Sequence, residues 1–334
     1  MLVIGDSLIW GQGLNENDKF YYLTKQWLEA EAFRGQRPVE LTVKAHSGST
    51  IKLHDDEAKA HRKAGRDENY PYHPEVNVGF PSIWKQVEVA SSEFRANGKS
   101  GADLVMLTGG ITDISVAETL NPFAKNEELY PLIKRYCYND MLDLLGHTSE
   151  SLPSATIALI GYFPMISPKT RASRMYNAWF ETMEFPRPLK PLANNVLTRQ
   201  FLRGIRKKAI TRSRIWLEES NRHFAAAVDE LNKKTGRRRA LFIKSPFTED
   251  HALETKDTLL FRMGKKGRVQ DPLFDRRTES CRKTLPEVKR FLGLDYPVRL
   301  CEMAAIGHPD PAGSRAYADA IISALKAHLE SPVR

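Results

Sequence analysis

Five short apolar runs, each bounded by polar residues or glycine, constrain this chain most: Met1–Ile4, Val39–Ala45, Asp103–Thr108, Ala155–Ile160 and Ala240–Ile243. Runs this brief and this rich in Val, Ile and Leu suit strands buried on both faces of a parallel sheet. Between them the apolar spacing changes to the helical period. Asp18–Phe33 carries Tyr21, Tyr22, Trp27 and Leu28, and Leu129–Leu145 carries Ile133, Met141 and Leu144. Ile215–Lys234 places Leu217, Phe224, Val228 and Leu231 on one face, with Gly236 able to close it; Pro311–Leu329 stripes Ala318, Ile321, Ile322, Leu325 and Leu329. The alternation predicts an α/β fold with helices on both faces of the sheet. With 334 residues, 41% hydrophobic and 27% charged, the chain can build its core without staples and reads as a single domain, 1–334.

Two connections are too long for simple turns. Leu53–Pro81 is polar and holds His54, His61 and His73. The second, about 167–214, combines Trp179, Phe180, Phe185 and Phe201 with the basic run Arg203, Arg206, Lys207, Lys208, Arg212 and Arg214. Long excursions from an α/β domain are often lids or binding loops. This one reads as an insertion, either a solvated charged face or a surface meeting anionic lipid. The net charge of +9 favours anionic partners in general. No zinc-ligand spacing or nucleic-acid motif accompanies it, so nucleic acid is not expected as a partner. The histidines are too irregularly spaced for a metal site, and none is expected. Cys137, Cys281 and Cys301 form no disulfide framework. Cys281 and Cys301 flank a helix-like segment, which leaves one bridge or two buried thiols open. No apolar run reaches membrane-spanning length and no signal peptide is read; the compartment stays open.

Four patterns carry chemistry. Gly5-Asp6-Ser7-Leu8 leaves the first strand, where a serine would face the ligand crevice of an open α/β sheet. Asp6 or Ser7 could equally cap the next helix. His46-Ser47-Gly48-Ser49 follows the second strand, and its glycine lets backbone N–H groups approach a ligand oxygen. Thr108-Gly109-Gly110-Ile111-Thr112-Asp113 follows the third strand; Gly110 and Thr112 could complete an oxyanion hole, and Asp113 could be a helix cap. Gly307-His308-Pro309-Asp310-Pro311 precedes the last helix. Asp310 followed by Pro311 is a clean helix start, which leaves His308 unexplained.

In this order, the four patterns converge on one edge of a parallel sheet, and the chain resembles the GDSL/SGNH hydrolase family over almost its whole length. The resemblance implies a three-layer α/β/α sandwich with a flavodoxin-like sheet. It implies Ser7 as nucleophile, His308 as general base, and an oxyanion hole from the backbone of Ser7 and Gly48 with help from Thr112. No cofactor is implied. Two positions depart from the family pattern. Thr112 stands where the family has an asparagine donor. Ala305 stands where it has the aspartate that orients the histidine. Glu302, Asp310 or a distant acid could substitute, or a backbone carbonyl could hold the ring in a Ser–His dyad, which is the preferred reading. The expected function is a serine ester hydrolase, an esterase or lipase working through a covalent acyl-enzyme on a lipid or acylated-carbohydrate ester. The alternatives are a carbohydrate acetylesterase, or a catalytically idle binding protein on the same fold.

Overall fold

The computed structural model describes residues 1–171, 196–264 and 267–330. Among them, five strands form one sheet: β1 (Leu2–Ile4), β2 (Thr42–Val43), β3 (Leu104–Leu107), β4 (Thr156–Ile160) and β5 (Ala240–Ile243). Every pairing is parallel and the spatial order is β2-β1-β3-β4-β5. This is the flavodoxin-like order, whose strand reversal at β1/β3 opens a ligand crevice beyond the carboxyl ends. All five expected runs became strands. The longest, Val39–Ala45, shrinks to two residues because β2 is an edge strand, half-buried and paired only to β1. The side chains of β1 and β3 are buried throughout, as continuous apolar runs require.

The helices are α1 (Ser7–Trp10), α2 (Phe20–Trp27), α3 (Asp55–Ala64), α4 (Ile83–Ala96), α5 (Ile111–Ile114), α6 (Val116–Thr119), α7 (Leu129–Lys134), α8 (Met141–Ser151), α9 (Val196–Thr235), α10 (Phe274–Leu292), α11 (Val298–Glu302) and α12 (Pro311–Glu330). A π-helical stretch, Arg135–Asp140, joins α7 to α8, so the helix expected over Leu129–Leu145 is one rod. Helices α2 and α12 pack on each other on one face of the sheet, while α4, α7, α8 and α9 pack together on the other, giving three layers.

Three expectations change. The polar connection Leu53–Pro81 contains α3, stabilised by Asp55, Asp56 and Glu57 in its first turn and by basic residues in its last, which complements the helix dipole. The basic run is no free loop: it lies on α9, continuous with the core helix expected from Ile215. Arg212 is fully buried rather than on a charged face. Trp179, Phe180, Phe185 and the side chain of Phe201 lie outside the described residues. The helix-like segment after Cys281 begins seven residues earlier, at Phe274. Its Cys281 bonds Cys301 of α11, which settles the open choice as a bridge, while Cys137 is a buried thiol. Among the described residues no helix is long and apolar enough to cross a membrane, and no group of histidine, cysteine or acidic side chains could hold a metal. His61 packs edge-on against Phe80 instead, with ring centroids 4.7 Å apart.

Candidate active site

The chain leaves β1 through a turn that only glycine can make. Gly5 has φ +137°, and a Cβ there would stand 2.5 Å from the Thr108 carbonyl oxygen. Asp6 then caps α1: its Oδ1 accepts from Leu8 N at 3.0 Å and from the Thr108 hydroxyl at 2.8 Å, and its Oδ2 accepts from the Tyr162 hydroxyl. Thr108 and Tyr162 follow β3 and β4, so one buried carboxyl ties three strand ends together. Burial pushes the Asp6 pKa up, against the hydrogen bonds of Tyr162, Thr108 and Leu8. The capping role expected of either residue therefore falls to Asp6, and Ser7 is left at the first helical position with its hydroxyl free for other work.

That hydroxyl meets His308. The Nε2 of His308 lies 2.8 Å from Ser7 Oγ across 301 residues of chain. The histidine loop is stitched in place from both sides: Gly307 N donates to Phe261 O at 3.0 Å, and Phe261 N donates to His308 O at 2.8 Å. The His308 pKa is lowered to about 4 by burial first and by the Arg277 cation second, while the carbonyls of Ile306, Ala304 and Ala305 oppose the shift. The ring is thus neutral at ordinary pH, able to accept a proton. Its Nδ1 is buried and, among the described residues, has no hydrogen-bond partner; the nearby carbonyls favour the charged ring without meeting hydrogen-bond geometry.

Neither candidate acid reaches that nitrogen. Asp310 accepts from Gly313 N at 2.9 Å, the helix-capping role its sequence suggests. Glu302 pairs with Arg282 at 2.6 Å and Arg299 at 3.1 Å. Among the described residues the serine and histidine form a pair rather than a triad.

The loop after β2 supplies the other wall. Gly48 has φ +84°, and a Cβ there would meet the Val78 carbonyl and the Asn77 side chain at 2.6 Å. Ser47 N donates to Pro74 O at 3.0 Å, and Val78 N to Ser47 O at 3.2 Å, so the loop is fixed against 74–81. Among the described residues the Ser7 and Gly48 amides donate to no acceptor. Thr112 differs from its expected part. Its hydroxyl donates to the Ser49 carbonyl at 2.5 Å, which engages the one proton it could offer an oxyanion. Asp113 accepts from Ile51 N at 3.0 Å and 3.2 Å. Both residues brace the Gly48 loop. Burial, with help from Asp6 and Asp140 and against the Ile51 hydrogen bond, raises the Asp113 pKa to about 8. Gly110 caps α5 with φ +110°.

One positioning group escaped the sequence reading. Gln86 of α4 accepts from Gly5 N at 2.7 Å and donates to Gly5 O at 3.1 Å and to Ser49 Oγ at 2.9 Å. It joins the turn bearing Ser7 to the loop bearing Gly48. Its signal was a glutamine at an otherwise apolar stripe position, with Ile83, Val87 and Ala90 buried beside it.

Arg212 donates to the carbonyls of Glu118 (2.7 Å), Lys125 (2.7 Å) and Thr119 (3.1 Å), and to the Glu118 carboxylate at 3.1 Å. It clamps the turn after α5. Arg206 donates to Pro168 O at 2.6 Å and Thr170 O at 2.9 Å. Arg203, Lys207 and Arg214 are exposed, as are Val116 (51%) and Phe123 (64%) on the clamped turn.

No protein-family model and no curated protein matches the sequence. Among solved structures, the chain is similar to an extracellular lipase from Streptomyces rimosus, with 13% identity, coverage of 97% of this chain and 98% of that one, and a TM-score of 0.45. A phospholipase A1 from Streptomyces albidoflavus NA297 gives the same identity, coverage and score. A carbohydrate acetylesterase from Sinorhizobium meliloti is 11% identical over 98% of both chains, with a TM-score of 0.41. Likeness at this level carries no activity over to this chain.

Proposed function

We propose that the protein is a serine ester hydrolase working through a Ser7–His308 dyad. The observation that carries this reading is the 2.8 Å contact between His308 Nε2 and Ser7 Oγ, with the imidazole kept neutral by burial and by Arg277. A neutral ring at that distance is a general base within reach of the proton it must take. Ser7 Oγ attacks the ester carbonyl as its proton passes to Nε2. The oxyanion forms beside the unengaged amides of Ser7 and Gly48, each such donor contributing about 3 kcal/mol of transition-state stabilisation. Collapse expels the alcohol, which takes the proton from His308. Water, deprotonated by the same nitrogen, then releases the acid from the acyl-enzyme. Every step is carried by these residues, and no cofactor enters. The GDSL/SGNH resemblance and the flavodoxin-like strand order support the reading, with the chain taken as one domain and 167–214 as its insertion.

For the substrate, a lipid ester at an anionic surface is favoured over an acylated carbohydrate by one feature. Val116 and Phe123 are exposed on the segment that Arg212 clamps, and Lys125, two residues beyond Phe123, is an exposed cation on the same segment. Apolar tips with nearby positive charge suit an interface of that kind. Hydrolysis should be measured over acyl chains from acetyl to palmitoyl, with Ser7→Ala as control. Loss of activity and of fluorophosphonate labelling in Ser7→Ala supports the hydrolase; no labelling of the wild type supports an idle binding protein instead. Preference for acetyl esters, with binding to anionic liposomes unchanged in Phe123→Asp, would turn the substrate reading to acetylated carbohydrate.

A further inference from the structure

A buried charge cluster, Glu75–Arg277–Asp271, lies outside the dyad. Arg277, from α10, donates from Nη1 to Glu75 Oε2 at 3.0 Å and Asp271 Oδ1 at 2.9 Å, and from Nη2 to Asp271 Oδ2 at 2.7 Å. Its Nε donates to the Glu302 carbonyl at 3.0 Å. The three side chains are 0% exposed. Glu75 also reaches the other way, accepting from Trp10 Nε1 at 2.8 Å, Gly13 N at 3.2 Å and Gln12 Nε2 at 3.2 Å. Trp10 ends the helix that Ser7 begins, and Gln12 N donates to Ser7 O at 3.1 Å. Glu302 ends α11, on the segment that leads into the His308 loop. A single guanidinium therefore joins the nucleophile's turn to the base's loop. The disulfide one helical turn along α10 fastens the same segment through Cys301, the neighbour of Glu302.

Stability alone is a weak reason for such a cluster, since well-packed apolar side chains hold a fold as well as a buried ion group does. We propose that Arg277 is a positioning residue, setting the register of Ser7 and His308 through Glu75 on one side and the Glu302 carbonyl on the other. Arg277 shares only the orienting part of a triad carboxylate's role, acting through the backbone rather than on the ring, since its charge disfavours the imidazolium; the proposal rests on the hydrolase reading above. Its charge acts as well. Among the described residues Arg277 is the charged side chain that acts on the His308 ring, which also meets Ser7 and lies near the carbonyls of Ala304, Ala305 and Ile306. Asp310 is turned to Gly313, the Glu302 carboxylate to Arg282 and Arg299, and Glu75 and Asp271 to Arg277 itself.

Two variants separate position from charge: Arg277→Lys, which keeps the cation but cannot span both carboxylates and the carbonyl, and the neutral triple Glu75→Gln/Arg277→Met/Asp271→Asn, which leaves no buried charge uncompensated. Folding is checked by circular dichroism, and kcat, KM, the pH profile and the rate of fluorophosphonate labelling are compared with the wild type. In Arg277→Lys, kcat and labelling should fall roughly 10- to 100-fold, as for a small misplacement of reacting groups, with KM little changed and the acid limb in place. The triple variant should show the same fall, with its acid limb moved toward the ordinary imidazole range. Wild-type kcat and labelling in either folded variant would overturn the proposal alone, and so would failure of both variants to fold, which marks the cluster as scaffold. A wild type not labelled at Ser7 would remove the hydrolase reading first and this proposal with it.

Discussion

Gln86 closes a two-bond ring on Gly5, accepting from its N–H at 2.7 Å and donating to its carbonyl at 3.1 Å, as a neighbouring strand would. The same amide reaches Ser49 Oγ, so Gln86 spans the two loops from which the proposed oxyanion donors come. Replacing it with leucine strands buried polar groups on both loops, at about 1–3 kcal/mol for each one left unpaired. Gln86→Leu is expected to lower the urea midpoint and to reduce kcat/KM beyond what the loss of folded protein explains. Gln86→Glu keeps the acceptor for Gly5 N but sets a buried carboxylate against the carbonyls of Gly5 and Pro81, and should lose at least as much as the leucine variant. A leucine variant with wild-type kcat/KM would show that the two loops hold their register without it.

The pH profile follows from His308. A general base works in its neutral form, and burial with the Arg277 cation lowers this ring from 6.5 to about 4. The acid limb of kcat/KM should therefore fall near pH 4. A limb near 6.5 would mean that the ring is solvated or that an acid supports it. Stability moves with the same sign: between about 4 and 6.5 the unfolded ring binds a proton that the folded ring does not. The stability contributed by the neutral His308 ring should thus be lost as pH falls through that window. His46, also lowered to about 4 by burial, adds to the effect, so comparison with His308→Gln is needed to isolate the dyad's share.

The strands were legible because a parallel sheet buried on both faces writes itself as uninterrupted Val, Ile and Leu, and the turn glycines mark where those strands end. The meeting of Ser7 with His308 was legible for a related reason: Ser7 stands just beyond the carboxyl end of β1 and His308 in the loop before the last helix, and no apolar stripe claims either. What lay hidden was pairing. The α3 helix is polar and leans on end charges and on packing against α10, neither of which leaves an apolar period. Arg212 read as part of a basic surface because the charge run does not show which side chain points inward; its acceptors are carbonyls, which every residue has. Gln86 and Glu75 meet partners 81 and 202 residues away, in Gly5 and Arg277, and no local spacing encodes such a contact.

Thr112 offers a sharp test of what its hydroxyl does. A direct oxyanion donor costs about 10²- to 10³-fold in kcat when removed. A brace on the Ser49 carbonyl should cost less, because Asp113 still holds Ile51 beside it. Thr112→Val, nearly isosteric, is expected to reduce kcat by roughly tenfold, the smaller loss of a loop shifted rather than a donor deleted. Hydrolysis rates for the variant decide it: a loss of three orders would return Thr112 to the oxyanion hole.

Asp113 is expected to set stability at the alkaline side. Its carboxyl is buried and titrates near 8 in the folded protein, against an ordinary 3.8. Between those values the folded state keeps a proton that the unfolded chain has released, so the contribution of Asp113 to stability should decline as pH rises from about 4 through 8. The sign is opposite to that of His308, whose window lies inside this one, so the two slopes offset each other between about 4 and 6.5 and the net decline falls between about 6.5 and 8. Asp113→Asn keeps an acceptor for Ile51 N while removing the titration. Urea unfolding at pH 5 and pH 9 measures the difference directly. The advantage of the variant over the wild type should be clearly larger at pH 9 than at pH 5. Equal losses for both proteins across that range would mean that Asp113 is already ionised in the fold, with its charge compensated by Ile51 and its surroundings.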